Sequence, residues 1–434
     1  MTPHTAGQLS ARARALAATE QLAAERSRQR EQWSGGFTRR KFLAGAGMAA
    51  AAALGSQLVT TRYAYAVPGT GNGRALVLVF LRGGFDGLAA VVPAGDPDYA
   101  AARPGIGVPD SLLLPLDRRF GLHPALAPLH SYWGSRQLAF VHAVGGPHIT
   151  RSHFQAMDQV ERGVESGEAR TGWLARALAE SGPGTTFRAT SESVSSPMSL
   201  AGSSGVVSLR GVDSIVLYRR TEKVLAALGE LYTGLDLLAT EQVPVALQLL
   251  GEATALQETR YKPAAQYPAG YFAAAMSDVA RLIKSGTGLR VATVDVGGWD
   301  IHSNAGPAQG GDMTDHLTEL GATLAAFAAD IGSRLGQVTV VTMSEFGRRV
   351  AENGSGGTDH GHGNAMMVLG GSVAGGSVYG GWPGLGPSAL VDGDLAGVND
   401  YRDVLFEVSK AQLGLGSIDP VFPSHRYSPL GLMH

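Results

Sequence analysis

The sequence predicts an α/β fold: a doubly wound, mostly parallel sheet with helices on both faces and a helical cap or side layer. Two observations lead there. Apolar runs rich in Val, Leu and Ile each end in a glycine-rich cluster, as strands covered on both faces do. Stretches of helical periodicity separate those runs, giving the strand–helix alternation of a parallel sheet. At 434 residues and 44% hydrophobic, the chain has material for a real core, which excludes disorder as its main state.

The strands follow in order. Ala75–Leu81 runs into Arg82-Gly83-Gly84-Phe85-Asp86-Gly87, and Gln137–Val144 into Gly145-Gly146-Pro147-His148. Leu289–Val296 leads to Gly297-Gly298-Trp299-Asp300, and Gln337–Met343 to Ser344-Glu345-Phe346-Gly347-Arg348. A short fifth run, Ala365–Leu369, ends at Gly370-Gly371. Helical patterns fill Ser152–Arg162, Leu174–Glu180, Glu222–Leu238, Val243–Glu258, Tyr271–Ser285, Thr314–Leu335 and Tyr401–Leu413. Residues 180–270 are poorer in strand signals and read as the cap, within one domain spanning 67–434.

Residues 1–66 read as an export signal rather than as part of that domain. Thr38-Arg39-Arg40-Lys41-Phe42-Leu43 precedes a Gly/Ala-rich apolar stretch to Val59, then Arg62 and the small-x-small site Ala64-Tyr65-Ala66. Paired arginines before a weakly apolar segment resemble a twin-arginine signal, which makes the twin-arginine translocase a partner and the destination periplasmic or extracellular. The segment is marginal for spanning the roughly 30 Å of a bilayer core, so no stable span is expected in the mature form. These 66 residues hold nine basic and three acidic side chains, leaving 26 basic and 34 acidic beyond them. An acidic mature chain argues against nucleic acid as a partner.

The chain has no cysteine. That excludes disulfide frameworks, thiolate metal sites, cysteine nucleophiles and a cysteine-derived formylglycine. Any metal is therefore held by His, Asp, Glu or backbone oxygen. Open α/β sheets bind ligands beyond the carboxyl ends of their strands, and histidines collect there. Thr358-Asp359-His360-Gly361-His362-Gly363-Asn364 is the densest group, with glycines that let short side chains converge. Asp300-Ile301-His302 supplies a second Asp/His pair and Asp86 a third strand-end carboxylate. A turn-forming role for Asp86 competes. Asp312 and His316, at i and i+4, read more easily as a solvated first turn.

Ser152 and Gln155 have capping-box spacing, so Ser152 is either a helix cap or a nucleophile at a helix N-terminus; Thr150 is its rival. Arg151, His153 and Arg348 are candidate substrate contacts, the arginines as anion clamps. Glu345 is a metal ligand or the partner of Arg348. The sequence has no Gly-x-Gly-x-x-Gly fingerprint joining a strand to a helix, which leaves a redox protein built around a dinucleotide without support.

Leu81-Arg82-Gly83-Gly84-x-Asp86-Gly87, Arg151-Ser152-His153-Phe154, Gly298-Trp299-Asp300-x-His302, Ser344-Glu345-Phe346-Gly347-Arg348 and Gly357-Thr358-Asp359-His360-Gly361 together resemble the domain-of-unknown-function 1501 family. The resemblance covers about residues 74 to 415. It implies twin-arginine export and a fold similar to the alkaline phosphatases and sulfatases. By position it assigns metal ligation to Asp86, Asp300, His302, Asp359, His360 and His362, and a nucleophile to Ser152. Two departures stand out: Asp300-x-His302 replaces the superfamily's Asp-x-x-x-His, and His362 lies unusually near the Asp-His pair. The implied function is hydrolysis of a phosphate or sulfate ester of a small molecule or glycan, aided by one or two divalent ions: zinc, manganese, magnesium or calcium. The alternative is an exported binding or assembly protein, for example of surface polysaccharide, on the same fold.

Overall fold

The computed structural model describes residues 73–164, 169–193, 195–203, 205–215 and 238–434, with the backbone alone for 238–245. The signal region 1–66 and the Glu222–Leu238 helix (save its last residue) lie outside the described residues. In chain order the strands are β1 (Ala75–Leu81), β2 (Val91–Pro93), β3 (Leu114–Pro115), β4 (Phe120–Leu122), β5 (Leu138–Gly145), β6 (Ala189–Glu192) and β7 (Val206–Leu209). They continue as β8 (Val291–Val296), β9 (Val338–Met343), β10 (Asn364–Gly370), β11 (Val378–Tyr379), β12 (Leu390–Val391), β13 (Asp394–Leu395) and β14 (Asn399–Asp400). The α-helices are α1 (Gly87–Ala90), α2 (Pro97–Ala102), α3 (Ala127–Gly134), α4 (His153–Arg162), α5 (Trp173–Glu180), α6 (Leu238–Glu258), α7 (Tyr271–Lys284), α8 (Asp312–Ile331) and α9 (Tyr401–Leu413).

Among the described residues, nine strands make one mixed, mostly parallel sheet in the order β11-β5-β10-β9-β1-β8-β6-β7, with β14 also on β5. β1 runs parallel to β8 and β9, and β6 parallel to β7 and β8. Only β10 is reversed: it is antiparallel to both β5 and β9. The apolar Ala365–Leu369 run thus supplies the one antiparallel member of the mostly parallel sheet that the sequence leads one to expect. An apolar run reports burial on both faces and carries no sign of direction. The reversal matters for the site. It brings the loop that enters β10, Asp359–Gly363, to the edge where the parallel strands leave.

Alternate residues of β1 face two cores, as the two-residue period requires. Val77 and Val79 pack with Met276 of α7 and Leu320 and Phe327 of α8. Leu76, Leu78 and Phe80 pack with Leu174 of α5 and Val404 and Leu405 of α9. Helices therefore cover both faces. The stretch 180–270, read as a cap, contributes β6 and β7 to the sheet itself. β6 reads Ala-Thr-Ser-Glu, too short and polar to announce a buried strand. No helix among the described residues is long and apolar enough to cross a membrane.

Candidate metal centre

Four segments meet at the carboxyl edge. The chain leaving β5 reaches His153 at the start of α4, the loop after β8 carries Asp300 and His302, the loop after β9 carries Glu345 and Arg348, and the loop before β10 carries Asp359 and His360. One nitrogen each from His153 and His360 and one oxygen of Asp300 all lie within 4.8 Å of one another. The Nε2 of His360 is 3.0 Å from Asp300 Oδ1, and that of His153 is 3.4 Å from Asp300 Oδ2.

What the other ring nitrogen does decides which atoms face the centre. His360 Nδ1 is 2.8 Å from the carbonyl oxygen of Arg151, which can only accept, so Nδ1 carries the proton. His153 Nδ1 is 2.8 Å from Glu345 Oε1, a buried carboxyl oxygen that also accepts from the Gly83 N–H. In the neutral rings both Nε2 atoms are then bare lone pairs aimed at Asp300. His302 adjoins them: its Nε2 is 3.0 Å from both Asp300 Oδ1 and His360 Nε2, and its Nδ1 faces Asp359 Oδ1 at 3.3 Å. Acceptor atoms facing one another at about 3 Å repel unless a cation or a shared proton sits among them. Two imidazoles and a carboxylate, with their far nitrogens tied to oxygen acceptors, fit a borderline divalent ion.

Arg348 holds this arrangement in place. Its Nε donates to Gly84 O at 2.6 Å and its Nη1 to Thr358 O at 2.9 Å. Its Nη2 donates to Trp299 O at 2.8 Å, to Asp300 Oδ1 at 2.7 Å and to Gly83 O. A buried guanidinium with its donors committed this way is a brace, which corrects its expected role as an anion clamp. Burial opposes ionisation of Asp300, yet the hydrogen bond and positive charge of Arg348 outweigh it, holding the carboxyl at about 2. Asp359 is also held low, chiefly by the Asn353 amide.

Other expected ligands do not join the triad. Asp86 is buried in a two-point ion pair with Arg103, at 2.7 and 3.1 Å, and caps α1 through the Ala89 N–H. Its carboxylate is satisfied inside the protein. Asp359 backs His302 from behind instead of facing the centre. His362 is buried, packs its Nε2 against Gly145 and Gly397, and has its pKa lowered by that burial. Asp312 accepts from Asn304 and His316 packs on Trp299.

The α4 start also differs from expectation. Ser152 occupies the N-cap position but its side chain makes no capping bond. Thr150 Oγ1 instead donates to Gln155 Oε1 and accepts from the Ser152 N–H, so the capping box is absent. Arg151 is engaged with the buried Asp394 at 2.8 Å. In sequence His153 reads as a substrate contact, and Glu345 as either a metal ligand or the partner of Arg348. In the structure His153 belongs to the candidate ligand group, and Glu345 is its partner.

A family model described as "Protein of unknown function (DUF1501)" matches residues 133–394, more than half of the chain. That span holds His153, Asp300, His302, Asp359 and His360. No curated protein matches the chain. Among solved structures it is similar to the PsFucS1 sulfatase from Pseudoalteromonas sp., at 11% identity and TM-score 0.33, over 82% of this chain and 73% of that one. It is also similar to the PH0037 protein from Pyrococcus horikoshii, at 12% identity and TM-score 0.26, over 82% of this chain and 98% of that one.

Proposed function

The chain belongs to the DUF1501 family, and on that premise we propose that it is an exported, metal-dependent hydrolase of phosphate or sulfate esters. The observation that carries the reading is the convergence of His153 and His360 Nε2 on Asp300, with both tautomers set by partners behind the rings. His153, Asp300 and His360 would hold a divalent ion, whose Lewis acidity would polarise an ester oxygen and lower the pKa of a nearby hydroxyl. The chain's own residues do the rest. Arg348 orients Asp300, Glu345 and the Arg151 carbonyl orient the two imidazoles, and His302, backed by Asp359, offers its Nε2 as a further ligand beside them. Ser152, with no side-chain partner and one residue from His153, is the nucleophile. The substrate is an ester of a small molecule or glycan, and the twin-arginine translocase handles export.

The test is metal content by mass spectrometry together with turnover of aryl phosphates and sulfates after loading with zinc, manganese, magnesium or calcium. We expect bound metal and turnover in the wild type, and loss of both in His360→Ala. A second reading, a binding or assembly protein without turnover, is favoured by one observation: Arg151 and Arg348, the expected anion clamps, are both engaged within the protein. Metal-loaded protein inert on every ester would establish that reading. Replacing Arg39 and Arg40 with Lys should retain the protein in the cytoplasm; normal export of the double variant rules out the twin-arginine route.

A further inference from the structure

A cleft of about 880 Å³ lies where the β11 edge of the sheet meets the 93–98 and 117–120 loops. Tyr379, Trp382, Asp98 and Arg118 line it together with the buried Phe120 and His142. None of these residues belongs to the candidate metal centre.

The wall that carries Trp382 is held rigidly. Its indole meets Phe120 edge-on at 5.0 Å and His142 edge-on at 4.8 Å, while Phe120 and His142 stack on each other at 5.2 Å. Asn399 pins the loop before it, donating to Gly381 O and accepting from Gly381 N–H, both at 2.9 Å, and donating also to His142 O at 2.7 Å. Gly380 has φ of +90°, and a Cβ there would lie 2.5 Å from Asn399 Nδ2, so only glycine permits the clamp.

The floor is strained. The β5–β10 register shifts between Asn364 and Met366, so His142 and Ala143 together oppose Ala365 as a bulge in β5. Ala143 sits at φ of +50°, a conformation an alanine adopts at a cost. Bulges of this kind re-aim a side chain, and here the one re-aimed is His142, whose ring supports the indole. A bulge, a strained alanine and a side-chain clamp all serve one half-buried tryptophan. That is the construction of a preorganised binding wall rather than of ordinary packing.

We propose that this cleft binds a neutral saccharide chain. A ring pyranoside presents C–H faces that lie on a rigid indole, and its hydroxyls pair with an unbonded carboxylate and a guanidinium. Asp98 and Arg118 are exposed and of opposite sign, so the cleft offers an acceptor and a donor without a dominant charge. The cavity has room for more than one sugar unit, within the volume usual for ligand sites. This site goes beyond the ester hydrolysis proposed above and does not depend on it.

The test is calorimetry and saturation-transfer NMR on the full chain with hexasaccharides of β-1,4-linked glucose, xylose and N-acetylglucosamine, at about 1 mM. A hexapeptide and benzyltrimethylammonium serve as the other classes of ligand. We expect at least one hexasaccharide to bind. Trp382→Ala and Asp98→Ala should each weaken that binding by about tenfold or more, which corresponds to roughly 1.4 kcal/mol. Asp98 is exposed, so its variant tests the site even if Trp382→Ala unfolds. His360→Ala should lose metal and keep saccharide binding, which separates this site from the metal centre. Three outcomes overturn the proposal: no binding of any hexasaccharide, binding that survives both cleft substitutions, or Trp382-dependent binding of the peptide or the ammonium probe alone.

Discussion

His153 Nδ1 lies 2.8 Å from Glu345 Oε1 across 192 positions of sequence, and that contact turns the other ring nitrogen toward Asp300. Neither residue is informative alone. Together they form the carboxylate–imidazole pair that commonly stands behind a metal-binding histidine.

The first prediction concerns that pair. Glu345→Gln keeps the size of the side chain and its acceptor for the Gly83 N–H but removes the charge that fixes the imidazole. Metal affinity should fall by about 10–100-fold with the fold retained. Competition with a graded series of chelators measures it. Wild-type affinity in the variant would show that His153 needs no such support.

Asp86 provides the second. Its partner Arg103 has a side chain with 0% exposure and also donates to the carbonyls of Arg349 and Val350. Asp86→Ala leaves that guanidinium buried and unpaired, which costs about 3–5 kcal/mol. Metal bound per folded chain should not change. Denaturant unfolding and metal analysis of the same sample decide the matter, and a stable variant that has lost its metal would return Asp86 to the ligand set.

These residues show how much of the molecule the sequence discloses. The five apolar runs and most helices are legible because their periodicity is local, and Asp300, His302, Asp359 and His360 are legible because glycine-rich strand ends announce them. Asp86 misleads because Asp-Gly after a strand looks the same whether its carboxylate points outward or meets an arginine 17 residues on. His153 is undervalued because its ligand geometry is imposed by Glu345, a partner no spacing rule connects to it. The direction of β10 is invisible for a related reason. Apolar character fixes burial, whereas direction is set by which neighbours a strand pairs with.

A third prediction follows from Glu192, the last residue of β6. Burial, and then the neighbouring Asp278 carboxyl, push its pKa up from 4.5 to about 9. The folded chain therefore keeps a proton that the unfolded chain releases. Stability is full below about pH 4.5 and declines as pH rises toward 9, because the unfolded state there binds fewer protons. Glu192→Gln retains an acceptor for the Gly211 N–H without the need for that proton. The variant should gain on the wild type steadily from pH 5 to pH 9 in melting temperature. Parallel profiles for the two proteins would show that Glu192 is ionised in the fold.

The last prediction concerns Ser152, where structure and chemistry separate cleanly. An N-cap serine that bonds its helix loses roughly 1 kcal/mol when replaced by alanine. Here the side chain makes no such bond, so Ser152→Ala should shift stability by no more than about 0.5 kcal/mol. Metal content should also stay at the wild-type level, because the candidate ligand atoms come from His153, Asp300 and His360 and none from Ser152. Turnover of an aryl ester should fall by about a hundredfold or more if the serine oxygen attacks, since nucleophilic catalysis is then lost outright. Rapid mixing of the wild type with excess substrate should show a burst of released phenol, the mark of a covalent intermediate, and the variant should show none. A burst that survives in Ser152→Ala would assign the attack to its rival Thr150, whose hydroxyl bonds Gln155 and the Ser152 N–H. Full activity without a burst in either protein would assign the attack to water and reduce Ser152 to a neighbour of His153.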